Sequence, residues 1–444
     1  MQVTVRPRVS LLGLTVAIVL ADSSVVTIAL PDILARFDVE IATLAWVLTA
    51  YNLALALAAV PAAFVARRRP VPVFGVGVVV FAAASLSCAL APSFDVLVAA
   101  RAVQGVAGAA VVCSALDLLT GATGDDATAA RTWALAGVLG AAIGPAVGGI
   151  LTQLLGWESI FVVQVPLLLV ALLALRGAVA PRIPEPAERP HIAANLALLL
   201  VSAALVAALF LLVLLLINGW RIDPLAAGLI VTVMPLAAIV AARYSRRIPS
   251  PWVRAASGTI LIAGGLAALG WLPHAGALWT VPPQIAVGAG LGLALSALTE
   301  RALAGRSAQA VHGGWTIAAR HAGVVLGLVL LTPIFTADLE RNEKDALAAG
   351  TAAVVDSHIS PLQKLGVARD ILVAVDDAKS EARIPDVSDI VGTQDDAHAD
   401  LASKLQEQLD RAATNTASRS FLAAALIALC ALVPIVVGRR DMSV

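Results

Sequence analysis

Gly137-Val-Leu-Gly-Ala-Ala-Ile-Gly-Pro-Ala-Val-Gly-Gly149 lies inside an apolar run from 129 to 153 whose single charged residue is Arg131. In a water-exposed helix each of these glycines would cost about 1 kcal/mol against alanine. Glycines four residues apart in a lipid-embedded helix instead let a neighbouring backbone approach closely. Gly140, Gly144 and Gly148 share one helical face, with Gly149 beside them and Pro145 to bend the axis. The stretch therefore reads as a tight, kinked membrane helix. Its face serves either packing alone or a rocking interface between two parts of the molecule.

Composition agrees with that reading. The chain has 444 residues, 59% hydrophobic and only 14% charged, with a mean hydropathy of +0.90. Soluble domains lie near 45–50% apolar and 25% charged. A span needs about 20 mainly apolar residues. Such runs occur near 9–30, 43–66, 71–91, 95–119, 129–153 and 159–177, then near 193–217, 223–243, 255–272, 279–299, 310–335 and 420–438. The sequence predicts twelve spans. The first follows Arg6 and Arg8 but stays apolar through Leu30, too long for a cleaved signal sequence.

Charge placement tests that count. Seventeen arginines fall in the short segments of one side, among them Arg67, Arg68, Arg69, Arg243, Arg247 and Arg439, against Arg36 and Arg221 on the other. Positive segments stay cytoplasmic, so the sequence predicts a multi-pass protein of the cell (plasma or inner) membrane with both termini cytoplasmic. Trp46, Trp157, Trp220, Trp252, Trp271 and Trp279 fall at span ends, as an aromatic belt requires.

The Pro-rich, mixed-charge stretch 178–191 divides six spans from six. The expected fold class is an all-α polytopic membrane protein of two six-helix bundles, 1–177 and 192–444. Pro61-Ala-Ala-Phe-Val-Ala-Arg in the second span is echoed by Pro235-Leu-Ala-Ala-Ile-Val-Ala-Ala-Arg in the eighth, which suggests a parallel repeat. Cys88, Cys113 and Cys430 all sit in apolar runs and read as small buried thiols, with no disulfide framework or metal site.

Residues 337–418 form a long extracytoplasmic insertion between spans eleven and twelve. It holds 16 of the 30 acidic residues and only 8 basic ones, a net charge of −8. Leu401, Leu405 and Leu409 predict an amphipathic helix continuous with span twelve. A second helix is expected over Asp338–Val355, and Ile371–Val375 as a buried contact. The insertion reads as a cap, a docking platform for an extracytoplasmic partner, or a solvated spacer.

Ionisable side chains at membrane depth are costly and mark function by default. Asp22 lies eight residues before Leu30 and Arg101 six after Asp95, so about 12 Å and about 9 Å from one surface at 1.5 Å per residue. A carboxylate whose proton affinity depends on a movable cation suits proton coupling; a permanent structural pair is the alternative. Glu300 and His321 are further coupling candidates. Tyr51, Asn52, Gln104, Gln164, Gln284 and Arg320 are candidate cavity residues, a sparse and mostly neutral set that suits an amphipathic or lipid-like cargo.

Three stretches together resemble the major facilitator superfamily, specifically its drug:proton antiporter branch. They are Ala21-Asp-Ser-Ser-Val-Val-Thr-Ile-Ala-Leu-Pro31, Arg101-Ala-Val-Gln-Gly-Val-Ala-Gly-Ala-Ala110 and the glycine run 137–149, followed by Gly156-Trp-Glu-Ser-Ile-Phe. The last looks like that branch's antiporter motif, carried by Gly140, Gly144, Pro145, Gly148 and Gly149. Arg320-His-Ala-Gly-Val-Val-Leu-Gly extends the likeness into the second half. Two features depart from the pattern. The branch usually has fourteen helices, and its loop after span two carries an acid and glycines that Ala63-Phe-Val-Ala-Arg-Arg-Arg-Pro70 lacks.

The resemblance implies a secondary transporter, a proton-coupled exporter of hydrophobic or amphipathic compounds, with protons and membrane lipids as its other partners. Export or flipping of an envelope lipid or glycolipid is the alternative. A transporter-like receptor or scaffold without transport is the reading from another class. No Gly-x-x-x-x-Gly-Lys-Ser/Thr occurs, so ATP is not expected to drive it. No catalytic constellation, cofactor or nucleic-acid partner is expected.

Overall fold

The computed structural model describes residues 5–178, 188–245, 247–303, 309–357, 363–367 and 396–439, with the single positions 360, 369 and 391. All regular structure among them is helical. The helices are α1 Val5–Phe37, α2 Ile41–Ala66, α3 Pro70–Ala89, α4 Phe94–Thr123, α5 Asp126–Leu155 and α6 Ser159–Leu175. They continue as α7 Ile192–Gly219, α8 Pro224–Ser245, α9 Pro251–Gly270, α10 Ala277–Leu303, α11 Gln309–Asp356 and α12 His398–Val437. Eleven are long and apolar enough to cross a membrane; α6 is apolar but shorter, and its last turn, Leu172–Leu175, is a 3-10 helix. Twelve apolar helices thus follow the sequence reading, with one of them abbreviated.

Helix ends differ from expectation in informative ways. α1 continues through Pro31 to Phe37, because a proline inside a packed membrane helix is tolerated where neighbours satisfy the freed carbonyl. Asp22 therefore lies deeper below its helix end than the sequence suggested. α11 runs unbroken to Asp356, so the helix expected over 338–355 is its continuation. α12 already begins within the acidic segment, as the leucine spacing predicts. Ile371–Val375 lies outside the described residues. Ser93, Asp125 and Ser250 cap α4, α5 and α9, each accepting a backbone N–H three residues on. The Thr128 hydroxyl and its N–H hold the Asp125 carboxyl below its ordinary range.

Packing repeats with an offset of six helices. α1 packs on α5 and α7 on α11; α2 packs on α4 and α8 on α10; α3 packs on α4 and α9 on α10. Two further pairs cross between the first six helices and the second six: α5 with α8, and α2 with α11. The echo between Pro61 and Pro235 thus lies on equivalent helices.

Glycines create these contacts. A Cβ on Gly140 would overlap the Ala17 carbonyl, and one on Gly148 would lie 2.7 Å from the Val25 oxygen, both on α1. Pro145 and Gly149 turn instead toward α8, where Gly228 approaches the Pro145 carbonyl and a Cβ on Gly149 would lie 2.6 Å from the Pro224 oxygen. α5 therefore carries two glycine-lined faces, one toward α1 and one across the halves.

The chain's two ends differ. One end carries the α1–α2, α7–α8 and α11–α12 connections, and the other carries the chain termini. At the insertion end a single apolar cluster joins both halves, from Ile28 and Leu44 to Leu212, Leu266 and Phe421. Toward the terminus end the first half has its own cluster around Phe74, Leu116 and Trp133. The second half has another around Leu198, Ala255 and Ile435. Beyond the insertion end, Val354 on α11 and Leu401, Ala402 and Leu405 on α12 form a separate small core. Asp338 at its base is 3% exposed and takes Arg341 at 3.0 Å and Arg419 at 3.3 Å. Of the cysteines, Cys88 and Cys113 are buried; Cys430 is exposed on the outer face of α12, correcting the expectation for that residue.

Gly140→Ala should drive α1 from α5, because the obstructing atoms are backbone. Overpacking of this kind costs about 1–3 kcal/mol, so the melting temperature in detergent should fall by several degrees. Gly264→Ala, where a Cβ meets nothing within 4 Å, should leave it unchanged or raise it. Equal melting of both variants would remove close packing as the role of the α5 face.

Candidate functional site

Asp22 of α1 and Arg101 of α4 are both fully buried and form an ion pair through Oδ2 and Nη1. A lone charge could not persist there, because desolvation would exceed any packing gain. Both carboxylate oxygens and most donors of the guanidinium are accordingly engaged. Gln164 Nε2 of α6 donates to Asp22 Oδ1 at 3.0 Å, and Gln104 Nε2 reaches the same oxygen at 3.3 Å. Arg101 Nη1 also donates to Gln104 Oε1 at 2.6 Å, and Nε donates to the Val47 carbonyl of α2 at 3.1 Å. Gln104 is fixed in turn by Ser85 of α3, at 2.8 Å. The guanidinium lies 4.3 Å from the Tyr51 ring centroid, a desolvated cation–π contact. One atom, Arg101 Nη2, has no partner.

A second group adjoins the first. Tyr51 donates its hydroxyl to the Val19 carbonyl at 2.8 Å. Asn52 Nδ2 donates to Leu48 O at 2.7 Å and to Ser23 Oγ at 3.3 Å. That fixes the amide with Oδ1 facing α11, where His321 Nδ1 lies 2.6 Å away. Oδ1 can only accept, so Nδ1 carries the hydrogen. This bond crosses between the halves, and Tyr51 meets the His321 ring edge-on at 6.5 Å.

Of the residues singled out from sequence, Asp22, Arg101, Tyr51, Asn52, Gln104, Gln164 and His321 thus converge. Glu300 does not: it lies near the terminus end of α10, its side chain 61% exposed, and pairs with Arg254 at 3.2 Å. Gln284 is buried on α10, bonded to Thr280 at 2.9 Å, with its Oε1 unpartnered. Arg320 is partly buried on α11 beside His321. Of the antiporter-motif residues, Gly140, Gly144 and Gly148 sit behind α1, where Gly144 leaves room for Ser24, and Pro145 and Gly149 face α8.

Sequence reading missed Ser23 and Ser85, whose hydroxyls look like any others in an Ala-rich span. It also passed over Asp117, an acid within Ala115-Leu-Asp-Leu-Leu119 near the end of α4. Asp117 lies within electrostatic range of Arg67 and Asp126. Among the described residues no ion pair joins Asp117 to Arg67, and Asp117 Oδ2 and Arg67 Nε and Nη1 are buried without hydrogen-bond partners.

The helical arrangement and the sequence both have counterparts among known proteins. The sequence profile of the Major Facilitator Superfamily matches residues 12–332. The chain belongs to the major facilitator superfamily. Relatives include the drug efflux pump JefA of Mycobacterium tuberculosis, 31% identical over 56% of this chain and 50% of that one. The multidrug resistance protein Stp of the same organism is 37% identical over 35% of this chain and 30% of that one. The multidrug efflux pump LfrA of Mycolicibacterium smegmatis is 36% identical over 41% and 36%. The matches thus cover about a third to a half of these relatives' lengths. A bacterial homologue of the human lysosomal transporter Spinster superposes with a TM-score of 0.67, at 16% identity, over 99% of this chain and 98% of that one. That likeness concerns the fold.

The Asn52–His321 bond should be measurable as a coupling. In a cycle of Asn52→Ala, His321→Ala and the double variant, the two losses of stability in detergent should be non-additive by about 1 kcal/mol. Strict additivity would mean that the two side chains do not hold the halves together.

Proposed function

We propose that this member of the superfamily is a proton-driven exporter of amphipathic small molecules. The reading rests on the Asp22–Arg101 pair, sealed from solvent and held by groups from five helices. Protonating Asp22 cancels the charge opposite Arg101 and leaves a buried cation, which is strongly unfavourable. Relief requires α1 to shift against α4, and α1 rests on the glycine face of α5, whose other face meets α8. A proton on Asp22 thereby biases the contact between halves, which is what alternating access needs. The names of the relatives, drug and multidrug efflux pumps, support the export direction.

We read the terminus end as cytoplasmic and the acidic insertion as external, which the arginine placement supports. Export of an envelope lipid is the second reading, favoured by the helical extension and its own small core, which lie where a cargo would leave.

Two measurements bear on this. Asp22→Asn should abolish uphill, pH-gradient-driven efflux of amphipathic fluorescent dyes, anionic, neutral and cationic ones compared, from proteoliposomes while retaining downhill exchange, and Asp22→Glu should recover part of the uphill rate. Uphill efflux by Asp22→Asn at the wild-type rate would make the pair purely structural. In intact cells, a cysteine at Ala349 should react with an impermeant thiol reagent and one at Ala127 should not; the reverse pattern would invert the topology.

A further inference from the structure

We propose that Arg320 anchors an anionic group on the cargo, so that the transported class is amphipathic anions. The inference rests on the transporter reading above and deepens it. Its starting point is where α11 places this side chain. Trp315, Val329 and Leu330 are exposed and mark the lipid face of α11. At 3.6 residues per turn Arg320 points about 140° away from Trp315. On Arg320's side of the helix lie Gly313, in contact with Leu116 of α4, and Ile317, part of the first half's core. Arg320 thus faces the space between the halves. Its depth is that of Asp22, because His321 binds Asn52, Asn52 binds Ser23, and Ser23 adjoins Asp22.

The charge there is uncompensated. Among the described residues, Arg320 makes no hydrogen bond or ion pair, and it retains partial exposure. Asp22 is spent on Arg101, and both its oxygens are occupied. His321 uses Nδ1 on Asn52, and the Tyr51 hydroxyl is committed to Val19. The centre therefore carries a net positive charge in a setting where a cation needs a partner. A cationic cargo would be repelled, and a neutral one would leave the guanidinium unsatisfied. A carboxylate, sulfonate or phosphate matches its donor fork in a bidentate way. Ile317, one turn before Arg320 on the same side of the helix, is a buried apolar residue, which suits a cargo whose remainder is apolar.

The test uses the purified full chain in detergent and three dansyl alkyl probes sharing one chain: a carboxylate, its neutral methyl ester and a trimethylammonium counterpart. The wild type should bind the carboxylate about tenfold or more tighter than either counterpart. Arg320→Gln should erase that preference, and Arg320→Lys should keep part of it. Competition by phosphatidate would assign the anion to a membrane lipid; carboxylate binding without such competition would assign it to a soluble amphiphile. Preference for the trimethylammonium probe, binding of none of the three, or an equal loss for all three in Arg320→Gln would overturn the proposal. Uphill efflux of ethidium by the same preparation would then leave the transport reading standing. Absence of uphill efflux of the dansyl carboxylate itself, beside an intact carboxylate preference in binding, would remove the transport reading alone.

Discussion

A carboxylate and a guanidinium placed in hydrocarbon must meet, and must then be satisfied on every side. That requirement organises five of the first six helices, α1, α2, α3, α4 and α6. Asp22 comes from α1 and Arg101 from α4, but the pair is tenable only because α2 offers the Val47 carbonyl and the Tyr51 ring, α6 offers Gln164, and α3 holds Gln104 through Ser85. Removing any one of these five would strand a charge or an amide in an environment without water. The helices are therefore fixed in register by a polar centre, while apolar packing supplies their general adhesion. The unpartnered Arg101 Nη2 is the one loose end, and it lies on the cation that protonation of Asp22 would abandon.

Small residues determine how a change at that centre travels. Lipid offers no hydrophobic drive for helices to associate, so contact depends on close backbone approach. α5 exploits this twice, toward α1 through Gly140 and Gly148 and toward α8 through Gly149 and Pro145. α11 is its counterpart in the second half. Gly327 receives the Ala203 backbone of α7, whereas Gly314 meets Ala59 and Ala63 of α2 across the halves. Each two-faced helix touches one partner in its own half and one in the other. A shift of α1 thus has a short mechanical route to α8, and the Asn52–His321 bond gives α2 and α11 a polar contact at the same depth.

What could be read from sequence followed physical cost. Asp22 and Arg101 were legible because charges in apolar runs are rare and expensive, and the glycine run because its four-residue spacing has no other good use. Leu401, Leu405 and Leu409 announced a helix continuing into α12, and Leu401 and Leu405 are buried in the small core there. The Asn52–His321 bond was not legible, since it depends on the register of two helices 269 residues apart. Glu300 was misleading for the same reason. Its place near a span end says nothing about direction, and it turns outward to Arg254. The unbroken α11 was hidden because the sequence turns from apolar to charged at Asp338 while helix propensity continues. Hydropathy sees the membrane boundary there, and the backbone does not.

The continuity of α11 changes how the acidic insertion should be understood. Over 48 residues, one helix carries Gly314 at the contact between halves, His321 and Arg320 at the centre, and Val354 in the outer core. At 1.5 Å per residue this is about 72 Å of a single rod, interrupted only by Pro333, where a membrane helix can bend. Beyond that point Asp338 is tied to Arg419 of α12, and Trp220 at the end of α7 donates to Thr414 at 3.2 Å. The extension is thus fastened to the second half at three helices and has no loop to uncouple it. A rigid displacement of α11 large enough to break the Asn52–His321 bond must swing the outer core as well. The described parts of the insertion, 338–357 and 396–418, are better understood as the far ends of α11 and α12 than as a separate lid, and Pro333 is the joint that would set how much of any displacement reaches them.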